Sequence, residues 1–134
     1  MRGHGERVFI VDDEASVVAF LSETLAGLGY EVSGFTDPAA ALSAFTADPA
    51  SVDALVSDYA MPGITGTELA RAFHRLRPPL PVFITSGYLR PDEAEEARRA
   101  GVDAVLQKPD FIEELARVLV ERFALASSAP GSRA

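Results

Sequence analysis

Five polar side chains that could bind a cation or a phosphoryl group stand at or just beyond the ends of short apolar segments. Asp12 and Asp13 follow RVFIV, Asp58 follows ALVS, Ser86 ends PVFITS, and Lys108 follows VDAVLQ. Carboxylates that lie within a few ångströms of one another need a cation, because like charges raise one another's pKa. Oxygen ligands with room for water favour Mg²⁺ or Mn²⁺ over Zn²⁺. The aspartates therefore indicate a site for a hard divalent cation and, with it, for phosphate.

Lys108 is the only lysine of a chain whose other basic residues are all arginine. Its ammonium group is a compact point charge, which fits a single phosphoryl oxygen better than the broad guanidinium does. The aspartates also admit a purely structural interpretation, in which Asp12 and Asp13 cap a helix and Asp58 lies in a loop. The choice between the two depends on whether the fold brings these side chains together.

Short apolar segments rich in β-branched residues predict five strands. We place β1 at 7–12, β2 at 30–35, β3 at 52–57, β4 at 81–86 and β5 at 102–107. Runs of this kind that end abruptly in polar residues are typical of strands buried on both faces of a parallel sheet.

Five helices alternate with these strands. We place α1 at 14–28, α2 from 37 to about 45, α3 at 65–76, α4 at 91–100 and α5 from 110 to about 125. Capping residues mark three of the starts: Asp37 before Pro38, Thr65 with Glu68, and Asp110 with Glu113. Helix α4 has only alanines to bury, so it is expected to be the most weakly packed of the five.

Two polar features of these helices are interpreted as exposed. His74 lies among arginines on α3 and is interpreted as a solvated residue, not as a phosphorylation site. The acidic residues of α4 are interpreted as its solvated face, with a surface for docking a partner as the alternative: Asp92, Glu93, Glu95 and Glu96.

Alternating strands and helices predict an α/β fold, a doubly wound parallel sheet with helices on both faces. The expected strand order is 2-1-3-4-5, as in flavodoxin-like folds, which opens a crevice at the carboxyl ends of β1 and β3. Asp12, Asp13 and Asp58 stand at those two ends, and Ser86 and Lys108 end β4 and β5 on the same rim. The fold thus favours a shared site over isolated caps.

Four segments together resemble the signature stretches of the receiver domain of two-component response regulators. They are VDDE (11–14), SDYAMPGITG (57–66), TSG (85–87) and QKP (107–109). Their order and spacing match the family over residues 7 to about 124, which is nearly the whole chain.

The resemblance implies a role for each residue of the site. Asp58 is the expected phosphoacceptor, and Asp12 and Asp13 are expected to hold Mg²⁺ or Mn²⁺ together with Asp58 and the backbone carbonyl of Ala60. Lys108 is expected to pair with the phosphoryl group. The resemblance also implies a cis peptide bond between Lys108 and Pro109.

Ser86 falls at the position whose hydroxyl turns toward the phosphoryl group. Thr85 precedes that position by one residue, and Ser86 is preferred because a small residue, Gly87, follows it. The chain departs from the family pattern at Val105, where an aromatic ring is usual. We therefore expect phosphorylation to be read through the loops after β3 and β4, at 59–66 and 87–91, and not through the α4-β5-α5 face. Tyr88 is the ring expected to change its environment.

The function that follows is that of a phosphorelay receiver, which takes a phosphoryl group from a histidine kinase or a histidine phosphotransfer protein and switches a protein-interaction surface. Its own catalysis would be limited to phosphoryl transfer and hydrolysis at Asp58.

Two alternatives remain open: an unphosphorylated pseudo-receiver that only binds proteins, and an aspartate-nucleophile phosphohydrolase. Such hydrolases place the second aspartate two residues after the first, whereas Asp12 and Asp13 are adjacent. The chain could be a stand-alone receiver or part of a hybrid histidine kinase.

Length and composition limit the other functions. The 134 residues contain no cysteine and carry a net charge of −8, which disfavours direct binding to nucleic acid and excludes thiolate metal sites. No apolar run reaches the roughly 18 residues of a membrane span, and the N-terminus has no signal-peptide core, so the cytoplasm is the expected compartment. We expect one domain over 1–125 and a disordered tail over 126–134.

Overall fold

The computed structural model describes residues 3–109 and 111–128. Its main sheet has five parallel strands in the order β2-β1-β3-β4-β5. Their bounds are Arg7–Val11 for β1, Glu31–Phe35 for β2, Ala54–Asp58 for β3, Val82–Ser86 for β4 and Ala104–Gln107 for β5. The predicted fold class and strand order are confirmed.

The five predicted helices are present. They are α1 at Ala15–Gly27, α2 at Pro38–Ala47, α3 at Gly66–Leu76, α4 at Pro91–Arg99 and α5 at Ile112–Ser128. Helix α5 runs past residue 126, where the sequence analysis begins the tail; alanine at that position favours helix. The predicted cap residue Asp110 and the tail residues 129–134 lie outside the described residues.

Two predicted helix starts show the expected hydrogen bonds. The Asp37 side chain accepts from the amide of Ala39 at 3.1 Å. At α3, the hydroxyl of Thr65 accepts from the Glu68 amide at 3.1 Å, and the Glu68 carboxylate accepts from the Thr65 amide at 2.8 Å. These caps satisfy amide groups that have no partner within the first helical turn.

Apolar side chains fill both faces of the sheet. On one face Phe45 of α2 stacks on Phe73 of α3, with 4.3 Å between ring centroids. On the other face Ile10 and Phe83 pack against Leu115 of α5. Every residue of β3 and β4 is buried, as expected for central strands of a parallel sheet covered on both sides. Two packed layers thus hold the strand ends in fixed positions.

Helix α4 buries only one side chain, that of Ala97. Ala94 and Ala100 are partly exposed. The weak apolar packing of α4 agrees with the expectation from its alanines. Contacts other than apolar burial must therefore contribute to its position.

Short elements beyond the predicted ones adjoin the sheet. Pro49–Ser51 forms a 3₁₀ turn, and Ala60–Met61 pairs antiparallel with Ile64–Thr65 just after β3. The peptide bond between Lys108 and Pro109 is cis, as the family resemblance implies. Among the described residues, no helix combines the length and the apolar character that crossing a membrane requires.

Candidate functional site

The three aspartates singled out from the sequence converge at the carboxyl ends of β1 and β3. Asp12 follows β1 and is 1% exposed, and Asp58 ends β3 and is 8% exposed. Asp13 is open to solvent. One carboxylate oxygen from each of the three lies within 4.8 Å of the others. The structure thus builds an acidic cluster with two buried members and one exposed member.

The two carboxylate oxygens of Asp12 contact different groups. Its Oδ1 accepts a hydrogen bond of 2.9 Å from the Glu14 amide at the start of α1. Its Oδ2 lies 3.2 Å from Nζ of Lys108. This carboxylate therefore contacts the backbone just before α1 with one oxygen and the ammonium of Lys108 with the other.

Lys108 reaches into the acidic cluster from the end of β5. Its backbone amide donates to the carbonyl of Ser86 at 2.8 Å, which fixes where the side chain begins. Its Nζ lies 3.1 Å from Oδ1 of Asp58, in addition to its contact with Asp12. The single lysine of the chain thus neutralises part of the charge of the two buried carboxylates.

The electrostatics of the site reflect this burial. Burial raises the pKa of Asp58, and although the hydrogen bond from Lys108 opposes this, the nearby charge of Asp12 adds to it. Burial by itself would lower the pKa of Lys108, but its pairing with Asp58 and Asp12 more than offsets that effect, so the pKa of Lys108 is raised. One ammonium group faces three carboxylates, and a divalent cation would supply further positive charge.

The donor set suits a hard cation. It consists of carboxylate oxygens, with Asp13 facing solvent where water could complete the coordination shell. The chain contains no cysteine, and both described histidines, His4 and His74, lie outside the cluster. The residues present therefore fit a divalent cation that prefers oxygen.

Ser86 and Thr85 lie at the end of β4, next to β3. Thr85 is the register partner of Asp58, and its carbonyl accepts a hydrogen bond of 2.9 Å from the Tyr59 amide. Ser86 is one residue further and is 7% exposed. Because side chains alternate along a strand, the two hydroxyls leave opposite faces of the sheet.

Ser86 borders a cavity of about 280 Å³ between the end of β4, the start of α4 and β5. Val105 of β5 lines this cavity and is 38% exposed, and Tyr88 at its rim is 72% exposed. A valine side chain thus stands where the family resemblance leads one to expect a ring. A tyrosine ring lies close by in the loop after β4.

The loop after β3 is shaped by glycines and a short antiparallel pair. Ala60, the predicted carbonyl ligand, is exposed and pairs with Thr65. Gly63 has a φ of +83°, which favours glycine. A Cβ on Gly66 would lie 2.6 Å from the Asp58 carbonyl oxygen, so only glycine permits this approach. The loop is therefore folded tightly against the backbone of Asp58.

A hydrogen bond between Tyr59 and Glu93, which the sequence analysis did not predict, links the site to α4. The hydroxyl of Tyr59, the residue after Asp58, donates to Oε2 of Glu93 at 3.4 Å, and Oε1 of Glu93 accepts from the Arg90 amide at 2.9 Å. Glu93 thus joins the loop after β3 to the first turn of α4. Interpreting all four acidic residues of α4 as solvated is wrong for Glu93, which is partly buried and accepts from Tyr59. Glu96 is exposed but also has a partner on another element, Arg71 of α3.

Comparison with known proteins agrees with this geometry. A sequence model of the response regulator receiver domain matches residues 8–119. The chain is 36% identical over 115 residues to the DNA-binding transcriptional regulator NtrC of Escherichia coli, covering 86% of this chain and 24% of that protein. It is 30% identical over 133 residues to the transcriptional regulatory protein FixJ of Bradyrhizobium diazoefficiens, covering 99% of this chain and 62% of that protein.

Solved structures show the same fold. A response regulator receiver domain protein from Clostridium thermocellum superposes with a TM-score of 0.86 at 24% identity, covering 91% of this chain and 97% of that one. The chemotaxis protein CheY4 of Vibrio cholerae gives a TM-score of 0.80 at 29% identity, covering 87% and 98%.

The chain spans about a quarter of the length of its NtrC relatives and about three fifths of FixJ. The residues that the family model matches, 8–119, include the acidic cluster and Lys108. The family match covers most of the chain, and the site stands where that family's signature segments meet. This protein belongs to the response regulator receiver domain family.

Proposed function

We propose that Asp58 accepts a phosphoryl group from a phosphohistidine of a histidine kinase or a histidine phosphotransfer protein. The observation that carries this proposal is the 3.1 Å contact between Nζ of Lys108 and Oδ1 of Asp58 within the acidic cluster. An Asp58 oxygen attacks the phosphorus in line, a P–O bond forms, and the P–N bond to the donor imidazole breaks. The imidazole leaves with the electron pair of the broken bond and regains a proton.

Asp12, Asp13 and Asp58 would hold Mg²⁺ or Mn²⁺ for this reaction, with the backbone carbonyl of Ala60 as a further ligand. When bound there, the cation would neutralise charge on the transferring phosphoryl oxygens. Asp12 is fixed by its contact with the start of α1, so it can orient a cation without rearrangement of β1. The exposed Asp13 leaves the approach from solvent open.

Lys108 and Ser86 would stabilise the phosphorylated state. The Lys108 ammonium already contacts the accepting carboxylate and needs only a small displacement to donate to a phosphoryl oxygen. Ser86 would donate its hydroxyl from the end of β4, one residue beyond Thr85, the register partner of Asp58.

Catalysis by this protein would be limited to phosphoryl transfer and later hydrolysis at its own aspartate, in the cytoplasm. NtrC is described as DNA-binding, but the match covers only 24% of that protein, and a net charge of −8 disfavours direct contact with nucleic acid here. We therefore propose proteins as the partners on both sides of the relay.

The readout would lie close to the site. The Val105 side chain is too small to occupy the cavity beside Ser86 in one state and leave it in the other, as an aromatic ring would. Tyr88 is exposed at the rim of this cavity. Tyr59 and Glu93 connect the acceptor loop to α4, which is weakly packed. Phosphorylation would thus be read through the loops after β3 and β4, and α4 would follow them.

Incubation with acetyl phosphate and Mg²⁺, followed by intact mass measurement, tests this proposal. The unchanged protein should gain the mass of one phosphoryl group, Asp58→Asn should gain none, and the exposed control Asp92→Asn should behave like the unchanged protein. Equal labelling of Asp58→Asn would overturn the assignment. Absence of labelling in every protein would favour the pseudo-receiver.

A further inference from the structure

His74 is held by two backbone carbonyls from different parts of the chain. Its Nδ1 lies 2.9 Å from the carbonyl oxygen of Ala100 at the end of α4, and its Nε2 lies 2.9 Å from that of Leu80, just before β4. The ring is partly buried. The sequence-based interpretation of His74 as a solvated residue is therefore wrong, because the ring is partly buried and both of its nitrogens contact backbone carbonyls.

Both of these contacts require a proton on the histidine. A carbonyl oxygen only accepts hydrogen bonds, so each ring nitrogen must carry a hydrogen to bond its partner. A neutral imidazole has one N–H and one lone pair, whereas the imidazolium has two N–H groups. The observed arrangement is thus complete only when the ring is positively charged.

The end of α4 is built closely around this ring. A Cβ on Gly101 would lie 3.1 Å from Cε1 and 3.3 Å from Nδ1 of His74, and Gly101 has a φ of +88°. The amide of Val102 donates to the Ala97 carbonyl at 3.1 Å, which closes the last turn of α4. Because the carboxyl end of a helix carries partial negative charge, a cation beside Ala100 is favoured there.

Charged side chains on the surrounding elements pair with other groups. Four arginines form ion pairs with acidic residues: Arg71 with Glu96, Arg98 and Arg99 with Glu95, and Arg122 with Asp103. Arg77 instead donates to the backbone carbonyls of Pro49 and Val52. Arg75 is exposed to solvent. The need for two protons on the His74 ring therefore comes from the carbonyls of Ala100 and Leu80.

Polar contacts hold α4 along its length. Glu93 bonds Tyr59 near the start, Glu96 pairs with Arg71 of α3 at 2.8 Å in the middle, and the Ala100 carbonyl accepts from His74 at the end. Since α4 buries only Ala97, the loss of one of these contacts should affect its position. The segment before β4 has additional support, since Arg122 donates to the Pro79 carbonyl at 3.2 Å.

We propose that His74 is a proton-operated clamp on α4. The doubly protonated ring ties α3 both to the end of α4 and to the segment before β4. The neutral ring can donate to only one of the two carbonyls. The contact with Ala100 is then lost, because the end of α4 is held by fewer other contacts than the segment before β4. This clamp goes beyond the proposed function, since it involves no phosphoryl group, and it makes the stability of the α4 end depend on pH.

Ring ¹⁵N NMR of the unmodified protein tests the protonation state directly. At about pH 5.5, both nitrogens of His74 should be protonated, with both N–H protons shielded from exchange by their carbonyl partners. The exposed His4 provides the reference within the same sample, because its ring N–H protons should exchange freely. A His74 ring with a single proton at that pH, or with N–H protons that exchange like those of His4, would overturn the proposal.

Amide hydrogen exchange tests the consequence for α4. Between about pH 5.5 and about pH 8.5, the protection of the Gly101 and Val102 amides, corrected for intrinsic exchange, should fall about five- to tenfold, the equivalent of one hydrogen bond. His74→Gln should abolish this pH dependence, and His4→Gln should retain it. The same pH dependence in His74→Gln would show that the clamp does not operate.

Discussion

Lys108 and Asp58 form a direct ion pair, with 3.1 Å between Nζ and Oδ1, although β4 lies between the strands that carry them. The lysine side chain extends across the end of β4 to reach the carboxylate. The positive charge is therefore in place before any phosphoryl group arrives. The same ammonium also balances Asp12, so its removal should affect both stability and chemistry.

Replacing Lys108 with methionine should lower the free energy of unfolding without metal by about 2 kcal/mol, because the buried Asp12 and Asp58 lose their partner. Mg²⁺ should recover part of this loss. Urea unfolding of Lys108→Met with and without Mg²⁺ measures both effects, and the exposed Arg90→Met serves as control. Equal stability of Lys108→Met and the unchanged protein would show that the ion pair contributes nothing.

Replacing Asp13 with alanine should weaken Mg²⁺ binding more than it affects the fold. Loss of an outer-shell partner of a metal site costs about 10- to 100-fold in affinity, and a direct ligand should cost at least as much. The melting temperature without metal should rise, since one of three clustered negative charges is gone. A calorimetric Mg²⁺ titration checks the first effect, with Asp92→Ala as control; unchanged affinity in Asp13→Ala would place the metal elsewhere.

The raised pKa of Asp58 gives a pH dependence with a definite sign. The folded protein holds this proton more tightly than the unfolded chain, so folding stability falls as the pH rises from the ordinary aspartate range through the raised pKa of Asp58. Asp58→Asn cannot ionise there and should be more stable than the unchanged protein at about pH 7 without metal, with the difference disappearing below about pH 4. Urea unfolding at the two pH values checks this, and a variant less stable at the higher pH would contradict it.

Beryllofluoride, a mimic of the phosphoryl group, should change amide chemical shifts mainly over residues 59–66 and 87–91. The Tyr88 ring should change its environment, because it lies at the rim of the cavity that Ser86 and Val105 line. Asp58→Asn with the same reagent is the control. Changes centred on β5 and α5, with Tyr88 unmoved, would contradict readout through the loops after β3 and β4.

The sequence was sufficient to place the site because its residues follow strand segments. Once the strands are recognised as parallel, their carboxyl ends must share one edge, which brings Asp12, Asp58 and Lys108 together. Asp37 and the Thr65 and Glu68 pair were equally predictable, since capping uses residues a few positions apart.

Contacts made across elements were not predictable in this way. The partners of His74 come from the end of α4 and from the segment before β4, and no periodicity in the sequence signals such carbonyls. Glu93 looks like one of several solvated acids until Tyr59 is placed beside it. The two-residue strands after β3 are too short to show an alternating pattern.

The most direct test of the account is to locate the modified residue after phosphorylation. The protein is treated with acetyl phosphate and Mg²⁺, reduced with borohydride, which converts an acyl phosphate of aspartate to homoserine, and digested for peptide mass mapping. We expect homoserine at position 58 alone, with none formed when acetyl phosphate is omitted. Homoserine at position 12 or 13, or a phosphoryl group recovered on His74 with Asp58 unchanged, would contradict the assignment of Asp58 as the phosphoacceptor.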